Sequence, residues 1–229
     1  MNTVAIPSAV DLAGQSLGRI AVELPGATAV LRRLKLDFCC GGHVTLQVAC
    51  TAKGLDWVAV RQELAELAQE APEPQISAPS SELIDHILTR YHEVHRAQLP
   101  ELIRMARRVE AVHSEHPQVP AGLADFLEGV EAELLDHMAK EENVLFPMFK
   151  RGGHPMAMQP IGVMRHEHTQ HGEQLERLGQ LTNEHTPPDG ACNTWRALFA
   201  GTARLTDDLM QHIHLENNVL FPRFEGAAA

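Results

Sequence analysis

The residues best placed to do chemistry come as a repeat. His137-Met-Ala-Lys-Glu141 runs on through Glu142-Asn-Val-Leu-Phe-Pro147, and 75 positions later His212-Ile-His-Leu-Glu216 runs on through Asn217-Asn-Val-Leu-Phe-Pro222. From His137 to Phe149, eight of thirteen positions match His212 to Phe224. On a helix a His and a Glu four residues apart lie about 40° apart around the axis, so imidazole and carboxylate leave one face together. A helix offers two metal ligands in this way. A single His-x3-Glu pair is more often a surface ion pair worth a few tenths of a kcal/mol. Duplication together with the packing sequence behind it points instead to a paired metal site.

The repeat reaches upstream. His92 precedes His137 by 45 residues and His168 precedes His212 by 44, the distance between neighbouring helices of an antiparallel hairpin. Two hairpins make a four-helix bundle whose interior gathers His92, His137, His168, His212, Glu141 and Glu216. Six N/O ligands exceed what one tetrahedral zinc takes and suit two carboxylate-bridged irons. The expected cofactor is a non-haem pair of iron ions.

Those ligands need long helices to position them. Apolar residues recur at helical spacing, no alternating run suggests a sheet, and aromatic content is 4%, so the expected fold class is all α. Ala71 to Pro79 holds three prolines in nine residues and reads as a linker between domains spanning 1–72 and 80–229. The first is expected to hold helices at 25–36, 45–53 and 56–69. In the second, Ser80 or Ser81 caps the first bundle helix, with Leu83, Ile84, Ile87 and Leu88 facing the core. Pro100 should kink or break that helix. Turns are expected at 116–122, 151–155 and 186–190.

At 229 residues and 44% hydrophobic content, the chain can bury one good core and a small companion. A net charge of -11 and a pI near 5.6 argue against nucleic acid or an anionic membrane as partner. No apolar run approaches the roughly 20 residues that span a bilayer, and the N-terminus does not read as a signal peptide, so a cytoplasmic protein is expected. Four cysteines in this length make no disulfide framework.

Asp37-Phe-Cys39-Cys40-Gly41-Gly42 is the second informative motif. A disulfide between adjacent cysteines is strained and easily reduced. Two small buried residues before a flexible turn would be the plainer explanation, yet Arg32, Arg33 and Lys35, close in sequence, would favour thiolates if they stand near in space, and thiols can accept nitric oxide or hold soft iron. Cys39 and Cys40 are therefore taken as functional, while Cys50 and Cys192 read as structural.

With these motifs, Tyr91-His92, Glu167-His168 and the run Asp208 to Arg223, the chain resembles over nearly its whole length the iron-sulfur cluster repair proteins of the ScdA/YtfE type, also called RIC or DnrN proteins. The resemblance implies a small N-terminal domain with a vicinal cysteine pair, joined to a hemerythrin-like bundle with an oxo- and carboxylate-bridged di-iron centre. It implies repair of iron-sulfur clusters damaged by nitric oxide or oxidative stress. Damaged iron-sulfur proteins would be the partners, nitric oxide or oxygen the small ligands, with a homodimer left open. The family's iron ligands fall on His92, His137, Glu141, His168, His212 and Glu216.

Repair by donation of labile iron is favoured over turnover catalysis. A nitric oxide reductase is the runner-up, and a hemerythrin-like oxygen or nitric oxide sensor the third reading, disfavoured because a carrier has no use for the thiols. A ferritin-like oxidase would need a repeated Glu-x-x-His, and Glu110-x-x-His113 stands once, outside the repeat. His95 and His171 follow His92 and His168 by three residues and are expected to support the ligands. Glu142 turns about 140° from His137 and Glu167 about 100° from His168, and both are expected at the solvent or the entrance. Tyr91 is expected as a half-buried structural phenol.

Overall fold

The computed structural model describes residues 12–70, 78–153 and 155–225. Most of the proline-rich linker, at 71–77, lies outside the described residues, as does His154 of the second expected turn. Among the described residues every regular element is helical, apart from one isolated bridge between Ser16 and Thr45. Contacts divide the chain into two compact units. One takes in the described residues up to Pro79 together with Ile213–Arg223, the other Ser80–His212 and the described residues from Phe224 on.

The first unit contains α1 Leu17–Glu23, α2 Ala27–Arg33, α3 Leu46–Ala52 and α4 Trp57–Glu70. α1 was not among the expected helices. Its signals were present: Ser16 accepts the N–H of Arg19 (3.3 Å) as an N-cap, and Leu17, Ile20, Ala21 and Leu24 recur on one buried face. Thr45 caps α3 in the same way, accepting from Val48 (3.4 Å). The two caps are tied together, since Leu17 N–H donates to Val44 O (2.8 Å) and Leu46 N–H to Gln15 O (3.0 Å). Leu17, Ile20, Leu31, Leu36, Phe38, Leu46 and Leu64 are sealed inside, each burial contributing about 2 kcal/mol.

The bundle helices are α5 (80–112), α6 (123–150), α7 Met158–Leu181 and α8 (193–220). Pairs running in opposite senses fix the topology within the second unit. Arg107 meets Glu128 while His92 meets Glu142; Gln174 meets Glu133 while Lys140 meets Glu167; Gln98 meets Gly201 while Arg90 meets Asp208. α5 is thus antiparallel to α6 and α8, and α6 to α7. Of the kink or break expected at Pro100, the break does not occur: α5 continues through it to Val112. Leu99, Leu102, Ala106 and Val109 are buried on either side of the ring, and that burial outweighs the about 3 kcal/mol a helix-interior proline costs. The last connection turns earlier than the prolines suggest. Asn183, Glu184 and His185 adopt left-handed φ of 47°, 55° and 58°, with Thr182 Oγ1 accepting the N–H of His185 (3.2 Å).

Candidate metal centre

Three of the four long helices widen into a π-helical turn, and each turn holds an expected ligand: His92 in Leu88–His92, Glu141 in Glu141–Leu145 and Glu216 in Leu215–Leu220. The bonds there span five residues, from Glu93 N–H to Leu88 O, Phe146 N–H to Glu141 O and Phe221 N–H to Glu216 O. Such turns are rare and occur mostly at functional sites. The shared Asn-Val-Leu-Phe lies within or directly after the second and third turns, so the repeat preserves the widened backbone as well as the ligands.

All six expected ligands are buried, none more than 1% exposed. They gather in two overlapping groups. His92 and His212 form the nitrogen side of one, with Nε2 atoms 3.1 Å apart; His137 and His168 form that of the other, also at 3.1 Å. Glu141 Oε2 faces both, 3.4 Å from His92 Nε2 and 3.6 Å from His137 Nε2. Glu216, one turn after His212 on the same helix, completes each group, all ligand atoms of a group lying within 4.8 Å of one another. Ligands at about 2.1 Å from a common ion stand about 3.0 to 3.4 Å apart in octahedral or tetrahedral geometry, close to the 3.1 Å between the paired imidazoles and the 3.4 and 3.6 Å to Glu141. Two carboxylates in a dry core are costly without a compensating charge, and four imidazoles do not supply one as metal ligands. The residues fit a pair of cations sharing both carboxylates.

Around the ligands stand the groups that orient them. His92 Nδ1 pairs with Glu142 Oε1 (2.7 Å), which also accepts from Arg96 (2.7 Å). His137 Nδ1 pairs with Glu167 Oε2 (2.9 Å), whose other oxygen accepts from Lys140 (2.6 Å). Glu142 and Glu167 are therefore half-buried and bonded to ligand imidazoles rather than standing free in solvent. Each lies to the side of its own helix, and in a bundle the side is where the next helix stands. Burial raises the Glu142 carboxyl, but the bonds from His92 and Arg96 outweigh it and hold it below the ordinary carboxylate range. A carboxylate on the far nitrogen fixes a ligand imidazole's tautomer and raises its basicity.

Rings complete the surround with a pseudo-twofold pattern. Tyr91 stacks on His212 at 5.4 Å and 4°, and is buried, which pushes its phenol up. His95 lies 5.5 Å from His212, and His171 meets His137 edge-on at 5.0 Å. Burial lowers His171, partly offset by its bond to Gln174 (2.9 Å), so it is a neutral imidazole at neutral pH. His214 is buried against the edge of Phe38 at 5.3 Å and accepts from Asn218 (3.0 Å) four residues on. Burial lowers it to about 4.

The cysteine motif occupies the loop between α2 and α3. Asp37 caps it, taking the N–H of Cys40 on Oδ1 (2.9 Å) and that of Gly41 on Oδ2 (2.8 Å). Cys39 is buried, Cys40 half-buried, and their sulfurs stand 3.6 Å apart with no disulfide between them. The basic residues upstream do not make Cys39 a thiolate. Arg33 is committed to Glu63 (2.5 and 2.7 Å), and Cys39 is instead raised well above the usual thiol range by its bond with Cys40, by burial and by the Asp37 charge. The glycines do not loosen the backbone; they let it pack. A Cβ on Gly42 would lie 2.6 Å from Phe38 O, and one on Gly18 2.4 Å from Asn218 Oδ1. The loop hangs on the segment after Glu216, where Asn217 Nδ2 donates to Cys39 O (3.0 Å) and Asn218 Nδ2 to Phe38 O (3.1 Å).

Comparison with known proteins agrees with this layout. A family model described as the hemerythrin HHE cation binding domain matches residues 83–224, and one described as a domain of unknown function, ScdA_N, matches 13–68. The iron-sulfur cluster repair protein YtfE of Citrobacter koseri is 51% identical over 210 residues, covering 91% of this chain and 96% of that protein. That of Dickeya chrysanthemi is 52% identical over 211 residues with the same coverage. No helix among the described residues is long and apolar enough to cross a membrane.

Proposed function

The chain belongs to the family of iron-sulfur cluster repair proteins of the YtfE type, and on that premise we propose that it restores clusters damaged by nitric oxide or oxidative stress by supplying iron. The observation that carries this reading is the pair of overlapping His-His-Glu-Glu groups sharing Glu141 and Glu216. His92 and His212 would hold one iron, His137 and His168 the other, and the two carboxylates would bridge them. Such a pair supplies redox-active iron with coordination positions free for a diatomic ligand or for exchange.

The chain's own residues divide the remaining work. Glu142 and Glu167 hold His92 and His137 with Nε2 turned inward, and Arg96 and Lys140 in turn donate to those carboxylates. Tyr91, Phe146 and Phe221, all buried, keep water from the interior. Cys39 and Cys40 receive iron as cargo on its way to a damaged client. The setting is the cytoplasm, where thiols stay reduced, and the role is stress response rather than turnover of a small substrate.

The test is anaerobic incubation of the iron-loaded protein with a cluster enzyme inactivated by nitric oxide. Iron lost from this protein should match activity regained by the client. Recovery without iron loss would overturn donation, and stoichiometric nitrous oxide from the reduced protein alone would establish the reductase in its place.

A further inference from the structure

A second set of potential ligands comes together on the loop between α2 and α3. One carboxylate oxygen of Asp37 and the sulfurs of Cys39 and Cys40 lie within 4.8 Å of one another. The sulfurs stand 3.6 Å apart, far beyond a disulfide's about 2.05 Å. Two thiolates on one tetrahedral ion, each about 2.3 Å from it, stand about 3.8 Å apart. Cys39 Sγ and Asp37 Oδ1 are separated by 3.4 Å, against about 3.6 Å for sulfur and oxygen corners of the same tetrahedron. Both edges fit with shifts of a few tenths of an ångström.

The three groups are also fixed beforehand. Backbone N–H groups of Cys40 and Gly41 aim the Asp37 carboxylate, and a Cβ on Gly41 would crowd its Oδ2 at 2.9 Å. Asn217 and Asn218 hold the carbonyls of Cys39 and Phe38. Cys39 forms the inner wall at 4% exposure, while Cys40 is half-buried and Asp37 exposed, so the fourth corner is open to an incoming ligand. Sulfur excludes magnesium and calcium as natural occupants, and a mixed thiolate and carboxylate set suits a cation of borderline softness.

We infer that Asp37, Cys39 and Cys40 form a second metal site, made of residues other than the His/Glu ligands, that takes one ferrous or zinc ion and leaves one coordination position open. Each ion taken up replaces the two thiol protons, which pass to solvent, and no electron is exchanged. The site stands on its own geometry; its use as the place where iron leaves for a client rests on the repair reading.

Cobalt(II) is the probe, added anaerobically to the full-length iron-loaded protein. One cobalt per chain should bind with a sulfur-to-cobalt charge-transfer band in the near ultraviolet, zinc should displace it, and iron content should stay constant. Cys39→Ser with Cys40→Ser should abolish the band, and Cys50→Ser should leave it. Asp37→Asn keeps an acceptor for the loop's N–H groups but loses the charge, and should weaken cobalt binding by about tenfold or more. No added cobalt, cobalt without the sulfur band, or unchanged affinity in Asp37→Asn overturns the site. If the double serine variant misfolds, Cys40→Ser and Asp37→Asn decide alone. A protein that binds cobalt here yet gives no iron to a damaged cluster loses the repair reading and keeps the site; the converse loses only the site.

Discussion

The two copies of the His-x3-Glu motif keep the same ligands on the same kind of widened helix and then use the next residue differently. After Glu141 comes Glu142, which reaches across to His92 and orients it. After Glu216 comes Asn217, which turns to the cysteine loop and holds the carbonyl of Cys39. Their successors diverge likewise: Asn143 Nδ2 donates to Ala139 O on its own helix, whereas Asn218 donates to Phe38 O. Duplication preserved the His-x3-Glu set and released the part set by the neighbour. Other pairs stayed symmetric in place while changing chemistry. Tyr91 and Glu167 each precede a lone ligand histidine and each serve a histidine of the other hairpin, one by stacking on His212, the other by bonding His137.

Breaking the shared part should cost most. Glu141→Ala or Glu216→Ala removes a member of both groups at once, and either should strip most of the iron from the protein, read as iron per chain. If each variant kept its full iron, the shared-carboxylate arrangement would be wrong. Next in size are Glu142→Gln and Glu167→Gln, which retain an acceptor but remove the charge behind His92 and His137. Chelator competition should show iron held about 10- to 100-fold more weakly; unchanged affinity would reduce both to surface ion pairs.

Asn217→Ala tests the divergent copy. It should leave iron affinity alone and lower stability by about 1–2 kcal/mol through the orphaned Cys39 carbonyl, measured by denaturant unfolding of the iron-loaded protein, with faster alkylation of Cys39. A loss of iron as large as that in Glu142→Gln would mean the two copies never diverged. Smallest of all, Tyr91→Phe keeps the ring on His212 and should change iron affinity by less than about twofold; a larger change would give the phenol oxygen a role the stacked geometry does not require.

Much of this was legible in the sequence for a physical reason. Repetition converts a weak local signal into a strong one, so the six candidate ligands and the four bundle helices could be named from spacing alone. Glu142 and Glu167 were misplaced because an angle on an isolated helix says where a side chain leaves, not which helix waits there. The signal was available: both are acidic and adjoin a ligand. α1 was missed although Ser16 and the following apolar spacing announce it, since seven residues of modest periodicity are outweighed by the glycines around them. Pro100 was overread, because local propensity is decided against burial that sequence does not display. The packing role of Gly18 had no local signal, as the atom it makes room for belongs to Asn218, far along the chain.

The π-helical turns have a consequence for how the protein opens. A five-residue hydrogen-bond span is a weaker backbone link than the four-residue span on either side, and in α6 and α8 it starts at or beside the carboxylate expected to bridge the ions. Local opening draws on the least stable stretches first. Amide hydrogen exchange should therefore quicken at Glu141–Leu145 and Leu215–Leu220 when iron departs, while Leu99, Leu127 and Leu198 in the regular helices stay protected. On the iron-supply reading proposed above, the two carboxylate turns loosen one at a time without melting the bundle around them.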